Sequence, residues 1–254
     1  MSTKQYKKLD PISHCLERPD MYVGSTNLRT ITEYISDPND NYKIFQQDIK
    51  SSQAILRIFI EVLSNAIDNT ERSKNTDTPC KKIKVTINKD TGETSVWNDG
   101  DVVPIEINEE EGCYNHTMIF GQLLTGSNYD DEQERIVAGR NGIGAKACSI
   151  FSTKFVVTGC DPNKQKVFTQ TWTNNMRSCT DPIIKSCKGK GYTHVTWWPD
   201  FKRFGLKGYT TDIIKLYTRY VVDAAMISKV QVYLNDELIP VKSLTQYSQL
   251  YDVP

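Results

Sequence analysis

Residues 61–69 read Glu61-Val62-Leu63-Ser64-Asn65-Ala66-Ile67-Asp68-Asn69 and lie within a longer helical pattern. Apolar side chains recur at spacings of three and four over residues 53–72, which predicts an amphipathic helix. Glu61, Asn65 and Asn69, or Asp68, then share one face. A carboxylate there can accept a proton from water, and an Asn carbonyl is a neutral ligand for Mg²⁺. An ordinary solvated helix face explains the same residues equally well.

A second polar segment, Trp97-Asn98-Asp99-Gly100, follows an alternating pattern over residues 82–97. That pattern, interrupted by a turn at residues 89–92, predicts a β-hairpin. Asn and Asp before Gly are typical of a plain turn. A polar side chain held at a strand end can instead bond the edge of an adenine, which makes Asn98 a candidate binding residue.

A glycine-rich segment, Gly139-Arg140-Asn141-Gly142-Ile143-Gly144-Ala145-Lys146, leads into a helix predicted over residues 142–151. Glycines before a helix let backbone N–H groups converge on phosphates, and Lys146 adds a cation. A P-loop fits less well, because Ala145 separates the last glycine from the lysine and Ala147 replaces the hydroxyl residue. A dinucleotide fingerprint also fits less well, since residues 130–135 show no strand pattern.

Composition narrows the class of protein. The 254 residues are 38% apolar and 24% charged, enough for one large domain or two small ones. The sequence contains no apolar run near the ~18 residues of a membrane helix and no secretory signal. Lys plus Arg and Asp plus Glu both number 31, so strong nucleic-acid binding by this chain is not expected. The lysines between residues 185 and 207 are interpreted as part of a solvated loop.

Cysteine usage indicates a reducing compartment. The seven cysteines form no C-x-x-C pair, and the three histidines lie far apart. The sequence therefore predicts neither a zinc site nor a disulfide framework, but reduced thiols in a cytosolic or nuclear protein.

The remaining segments complete a mixed pattern of helices and strands. Residues 10–25 combine turn residues with a short helical pattern, and longer helices are predicted over residues 118–124 and 210–226. Strands are predicted near residues 154–158, 167–173 and 192–198, with a hairpin over 230–241. Polar loops are predicted over residues 36–42 and 127–140. The class is α/β with mixed strand order.

The order of these parts resembles the Bergerat ATP-binding fold of the GHKL superfamily, which includes gyrase, chaperone, histidine-kinase and mismatch-repair ATPases. Longer motifs narrow the resemblance. Leu16-Glu17-Arg18-Pro19-Asp20-Met21-Tyr22-Val23-Gly24-Ser25 resembles the opening of type IIA DNA topoisomerases. Residues 120–131, 139–146 and 150–155 resemble the eukaryotic-type enzyme rather than gyrase. The similarity to its ATPase domain runs from about Tyr6 to the end.

The resemblance implies a role for each matching residue. Glu61 matches the general base for the attacking water, Asn65 the Mg²⁺ ligand that also reaches the phosphates, and Asn98 the residue that recognises adenine. Other residues that match walls of the nucleotide pocket are Asp68, Asn69, Arg72, Ile119 and Phe120. Residues that match the lid and the phosphate-binding loop are Gly126, Ser127, Asn128, Gly139, Arg140, Asn141, Gly142, Ile143, Gly144, Ala145 and Lys146.

Three residues depart from the family pattern. Gly126 replaces a Ser and removes a lid hydroxyl, Val102 replaces a Gly near the adenine, and Ile143 replaces a Tyr in the phosphate loop. The departures leave the implied base and metal ligand in place. They suggest a divergent source, such as a large DNA virus or a protist.

The implied fold is an α/β Bergerat sandwich, a mixed β-sheet with helices on one face. Residues 1–25 are expected to form an N-terminal strap and residues 26–254 the ATPase domain, with transducer and cleavage domains outside this chain. The implied cofactors are ATP and Mg²⁺, and the implied partners are a second copy on ATP binding and DNA through the full-length enzyme. No membrane partner is expected, and the location is the nucleus or cytoplasm, or a viral factory for a viral source. A stand-alone ATP-dependent clamp or chaperone is the alternative.

Overall fold

A computed structural model describes residues 8–123 and 143–251 of the chain. The helices are α1 (Pro11–Glu17), α2 (Gln53–Arg72), α3 (Asn115–Gly121), α4 (Gly144–Ile150), α5 (Thr211–Ser228) and α6 (Leu244–Ser248). The strands are β1 (Arg29–Asp37), β2 (Lys43–Ser51), β3 (Lys82–Ile87), β4 (Thr94–Asp99), β5 (Ser152–Asp161), β6 (Lys166–Thr173), β7 (Ser178–Cys179), β8 (Ile183–Ser186), β9 (Tyr192–Pro199), β10 (Gln231–Leu234) and β11 (Glu237–Leu238).

The central sheet of the described residues has nine strands in the order β11-β10-β3-β4-β9-β5-β6-β7, with β8 also paired to β6. Strands β10 and β3 pair in parallel, and the other pairs are antiparallel. The predicted mixed sheet, with helices on one face, is confirmed. Loops 36–42 and 89–92 coincide with turns between strands.

Helix α2 is the centre of the helical layer. Its N-cap is Ser52, whose hydroxyl accepts from the Ile55 N–H, and its apolar face is buried against the sheet and α5. Phe59 stacks on Tyr217 of α5 with centroids 4.0 Å apart, and the Tyr217 hydroxyl donates to the Ile55 carbonyl at 2.5 Å. Each large side chain buried in this way stabilises the fold by roughly 1.5–3 kcal/mol.

The β1–β2 hairpin, which the sequence analysis did not predict, packs on α5. Its buried side chains Ile35 and Ile49 join Leu216 in a small separate cluster. Much of both strands is polar or exposed, so the period-two signal is weak over their length. The hairpin therefore forms a third layer beyond the helices.

The segment before β1 also belongs to the main core. Helix α1 packs against α4, and Cys15 and Val23 are buried in the same cluster as the α2 residues. Among residues 8–123 and 143–251, no helix combines the length and hydropathy that crossing a bilayer requires.

The cysteine prediction was wrong for one pair. Cys160, in β5, and Cys187, just after β8, form a disulfide with their Cα atoms 6.1 Å apart. The two residues are 27 positions apart and come together because β5 and β8 flank the same strand, β6. Tertiary pairing of this kind leaves no spacing motif in the sequence. The other five cysteines are free thiols.

Two predicted elements differ in their limits. The helix predicted from residue 142 begins at Gly144, and the one predicted over residues 118–124 covers Asn115–Gly121 instead. The loop predicted over residues 127–140 lies outside the described residues.

His116 of α3 is fully buried and stacks on Phe168 with centroids 4.7 Å apart. Neither ring nitrogen has a hydrogen-bond partner within the described part of the chain. Burial lowers the pKa of His116 to about 4, although the charge of Asp161 opposes the shift. The ring is therefore neutral in the folded protein near neutral pH.

We expect His116 to make the fold sensitive to mild acid. An unfolded histidine titrates near pH ~6.5, whereas folded His116 stays neutral down to about 4. The unfolded state binds the proton first, so stability should fall between these two pH values and level off below them. The loss is at most about 3 kcal/mol. Urea unfolding as a function of pH measures it.

The matched variant is His116→Phe, which keeps an aromatic ring against Phe168 but cannot take up a proton. It should lose that part of the pH dependence. An unchanged pH profile in this variant would contradict the assignment.

Candidate functional site

Helices α2 and α4 bring the carboxylate of Glu61 against the backbone of Gly144. A Cβ at residue 144 would lie 2.1 Å from Glu61 Oε2, so any side chain there would displace the carboxylate. Arg57, one helical turn earlier, pairs with Glu61 Oε1 at 2.5 Å. The Glu61 side chain is 22% exposed. The carboxylate is thus fixed between a guanidinium and the start of α4, yet still reaches solvent.

Asn65 lies one turn after Glu61 on the same helix and is exposed. The helical period places both side chains on one face, as the sequence predicted. Within the described ranges, His, Cys, Asp and Glu residues form no cluster that could cage a metal ion. A lone Asn carbonyl suits Mg²⁺ better than most metals, because Mg²⁺ usually keeps several waters and takes oxygen ligands from a substrate phosphate.

Asn69 ties the end of α2 to the loop after β4. It is 3% exposed, and its Nδ2 donates to the carbonyls of Asp99 at 3.3 Å and Asp101 at 3.0 Å. Its Oδ1 accepts from the Arg72 guanidinium at 3.0 Å. Asn69 and Arg72 therefore lie at the predicted site. In this structure Arg72 contacts Asn69, and Asn69 in turn holds the loop after β4 in place.

Asn98 is buried at the end of β4, on the side of the sheet that faces the helices. Its Nδ2 donates to the carbonyl of Asp99 at 2.9 Å. Directly opposite, on β9, lies Thr193, a half-buried hydroxyl residue that the sequence analysis missed. Only the register of β4 with β9 identifies Thr193 as a neighbour of Asn98, because the two strands are far apart in sequence.

The turn after β4 requires glycine. Gly100 has φ +106°, and a Cβ there would lie 2.8 Å from the Cβ of Cys80. Both the backbone conformation and the space exclude other residues. The chain therefore bends at Gly100, and Asn98 and Asp99 remain the last two residues of β4.

The two α3 residues expected to wall a base pocket differ in burial. Phe120 is 8% exposed and packs on Phe155 in the core, whereas Ile119 is half-buried. Ile119 is thus the more available of the two for contact with a ligand.

Lys146 lies in α4 and is 1% exposed. Burial lowers its pKa to about 8, because removing water disfavours the ammonium form. Its neighbours Ile143 and Ala145 are half-buried and pack on the core. Asp68 is half-buried and Arg72 exposed. The site residues that lie outside the described part of the chain are Gly126, Ser127, Asn128, Gly139, Arg140, Asn141 and Gly142.

The structure therefore brings the described candidates to one side of the sheet. Helix α2 contacts both α4 and β4, and α3 contacts α4. A carboxylate, an exposed amide and a buried lysine lie on these elements, which suits a ligand with concentrated negative charge and a reaction that needs a base. The fold is that of the Bergerat class of ATP-binding domains.

Comparison with known proteins narrows the class of this domain further. The chain is similar to the ATPase region of Saccharomyces cerevisiae topoisomerase II, with TM-score 0.93 and 37% identity over 98% of this chain and 65% of that one. The ATPase and transducer domains of Balamuthia mandrillaris DNA topoisomerase II give TM-score 0.93 and 36% identity over 99% and 64%. DNA topoisomerase 2 of Invertebrate iridescent virus 6 is 42% identical over 261 residues, 98% of this chain and 23% of the viral protein. The chain belongs to the DNA topoisomerase 2 family.

The match is to one region of that family. The chain spans 15% to 23% of the length of the curated relatives it resembles, and the solved structures place it in the ATPase region. No protein-family model matches the chain. The family and the fold expected from the sequence motifs are both confirmed.

We expect Asn69→Ala to destabilise the fold. It would leave the carbonyls of Asp99 and Asp101 without their buried donor, and an unsatisfied buried polar group costs about 1–3 kcal/mol. Asn65→Ala, an exposed change on the same helix, is the matched control and should stay within about 0.5 kcal/mol of the parent. Urea unfolding compares the two, and equal effects would show that the Asn69 tie contributes nothing.

Proposed function

We propose that this chain is the ATP-binding and ATP-hydrolysing domain of a type II DNA topoisomerase. ATP binding would close two copies into a gate that captures a DNA duplex. The observation that carries the proposal is the placement of Glu61, fixed between Arg57 and Gly144 one turn before Asn65. The topoisomerase relatives favour this role over a stand-alone clamp or chaperone.

In this proposal Glu61 is the general base. Its carboxylate takes a proton from the attacking water, whose oxygen forms a bond to the γ-phosphorus as the bond to the β–γ bridging oxygen breaks. The ion pair with Arg57 and the contact with Gly144 limit where the carboxylate can be, so it needs little reorganisation before reaction. General-base catalysis of this kind contributes on the order of 10²–10⁴-fold to the rate.

Asn65 would hold Mg²⁺ through its side-chain carbonyl. The metal neutralises charge on the phosphates when it is bound. Lys146 supplies a second positive charge, and phosphate charge nearby favours its ammonium form against the effect of burial. The segment Gly139–Lys146 would contribute backbone N–H groups to the phosphates, as its motif suggests.

The base of the nucleotide would lie at the end of β4. Asn98 offers an amide and Thr193 a hydroxyl on neighbouring strands, and Ile119 offers a half-buried apolar surface. A few polar groups within an apolar wall are what fixes the orientation of a small ligand.

The longer protein would meet DNA and a second copy of itself, in the nucleus or cytoplasm. This chain alone should hold DNA only weakly, because its Lys plus Arg and Asp plus Glu both number 31 and affinity for DNA depends on phosphate neutralisation.

We expect Glu61→Gln to retain nucleotide binding and lose turnover. Glutamine keeps the shape of the side chain but cannot accept the proton, so hydrolysis should fall on the order of 10²-fold or more. Single-turnover hydrolysis with protein in excess, beside calorimetry with a non-hydrolysable ATP analogue, separates the two effects. Hydrolysis within a few-fold of the parent would remove Glu61 from the role of base.

Gly144→Ala tests the position of the Glu61 carboxylate without changing Glu61 itself. The added Cβ would meet Glu61 Oε2, the end of a flexible side chain, so the carboxylate should move while stability changes little. Gly189→Ala is the matched control, since a Cβ there meets nothing within 4 Å. Turnover should fall in the first variant and stay at the parent rate in the second.

Asn65→Ala should weaken binding itself. Loss of one metal ligand is expected to reduce affinity for the ATP analogue about tenfold in Mg²⁺, or roughly 1.4 kcal/mol. With the metal chelated, the parent and the variant should bind alike. Equal affinities in Mg²⁺ would instead exclude Asn65 as the ligand.

A further inference from the structure

The central sheet has a second face, opposite the helices. Core residues such as Val85, Val96 and Val195 point to α2 and α5, so their neighbours along each strand point the other way. Residues on this open face include Lys82, Lys84, Thr86, Ser95, Trp97, Asp99, Lys154, Val156, Thr158, Val167, Thr169, Thr171, Ile183, Lys185, Tyr192, His194, Thr196, Trp198, Tyr233 and Leu238. All of these residues except Ser95 are exposed or half-buried.

The open face is positively charged although the whole chain is neutral. Four of its residues are exposed lysines, on β3, β5 and β8. Asp99 is the acidic residue among those named above. Its Oδ1 accepts hydrogen bonds from the backbone N–H groups of Lys81 at 2.7 Å and Lys82 at 2.8 Å. That carboxylate is therefore engaged by backbone N–H groups at the start of β3.

Aromatic rings support two of the ammonium groups. Lys84 Nζ lies 5.8 Å from the ring centroid of Trp97 and 5.9 Å from that of Tyr233. Lys154 Nζ lies 4.5 Å above the ring of Trp198. Cation–π contacts of this kind hold a lysine in place while its charge stays in water. The ammonium groups therefore lie at defined places on the open face.

The spacing of the lysines suits a duplex. Strands lie about 4.8 Å apart, and Lys154 on β5 is three strands away from Lys84 on β3 and four residues along from Thr158, the residue in register with Lys84, so the two lysines are separated by roughly 20 Å. A duplex carries one phosphate charge for about every 1.7 Å of its axis, so both ammonium groups can meet phosphates of one duplex that lies across the face. The threonine hydroxyls between them, Thr158 and Thr196 among them, can donate to phosphate oxygens.

We propose that the open face binds the phosphate backbone of duplex DNA. The inference rests on the proposed function, which makes DNA the substrate of the longer protein, and adds the surface of this domain that meets it. A protein partner fits less well, because charged residues, lysine included, are depleted from the buried core of protein interfaces. Four lysines give modest, salt-sensitive affinity, consistent with the weak binding expected of a neutral chain.

The test compares two triple variants that each remove three positive charges. One carries Lys82→Gln, Lys84→Gln and Lys154→Gln on the open face, and the control carries Lys50→Gln, Lys207→Gln and Lys242→Gln, exposed lysines elsewhere. Fluorescence anisotropy with a labelled duplex is recorded over a range of salt. The parent should show a log–log salt slope of about −4. The open-face variant should lose about 3 of that slope and bind at least about tenfold more weakly at low salt, with little change in the control.

Equal losses in the two triple variants, or no binding by the parent at low ionic strength, would overturn the proposal. Lys82→Gln alone is tested in case the triple variant does not fold, because Lys82 makes no ring contact among the described residues. This single variant should reduce the salt slope by about 1. Calorimetry with the ATP analogue on the same proteins separates the two proposals. A parent that binds DNA through this face but fails to bind nucleotide would contradict the proposed function alone.

Discussion

The burial of one face of α2 is the constraint on which the rest of the structure depends. Phe59 and its apolar neighbours must pack on the sheet and on Tyr217 of α5, and that contact sets the rotation of the helix about its axis. Because the helix repeats every ~3.6 residues, fixing the buried face also fixes the opposite one. Glu61 and Asn65 are therefore held in place by hydrophobic packing on the other side of their own helix.

Two residues of α4, Lys146 and Gly144, are not the types that packing alone would favour at their positions. Lys146 loses water on burial, which lowers its pKa to about 8, and an apolar residue in the same place would be less costly to bury. Gly144 is the first residue of α4, and the Glu61 carboxylate occupies the space that a Cβ there would need. The fold gives up stability at α4, where the proposed base and phosphate-binding groups meet.

Sequence reasoning succeeded where the signal was local. The limits of α2 coincide with the predicted residues 53–72, because its apolar period is strong and Ser52 caps it. Thr193 and the Cys160–Cys187 disulfide were missed, since each depends on which distant strands become neighbours. The β1–β2 hairpin was missed because its strands bury too few residues for an alternating pattern. The candidate site residues were proposed from motifs, whereas their neighbours across the sheet could be identified only from the strand register.

The same register connects the two faces of the sheet. Asn98 and Trp97 are consecutive residues of β4, so one points toward the proposed nucleotide site and the other toward the open face. Lys84 lies opposite Trp97 on β3, and Thr193 lies opposite Asn98 on β9. A shift of β4 by one residue would exchange the two sets of side chains. Its hydrogen-bonded position between β3 and β9 therefore specifies both surfaces at once. A neutral chain can still present a positive face to DNA, because the lysines of β3 and β5 lie on the side of the sheet that faces away from the proposed nucleotide site.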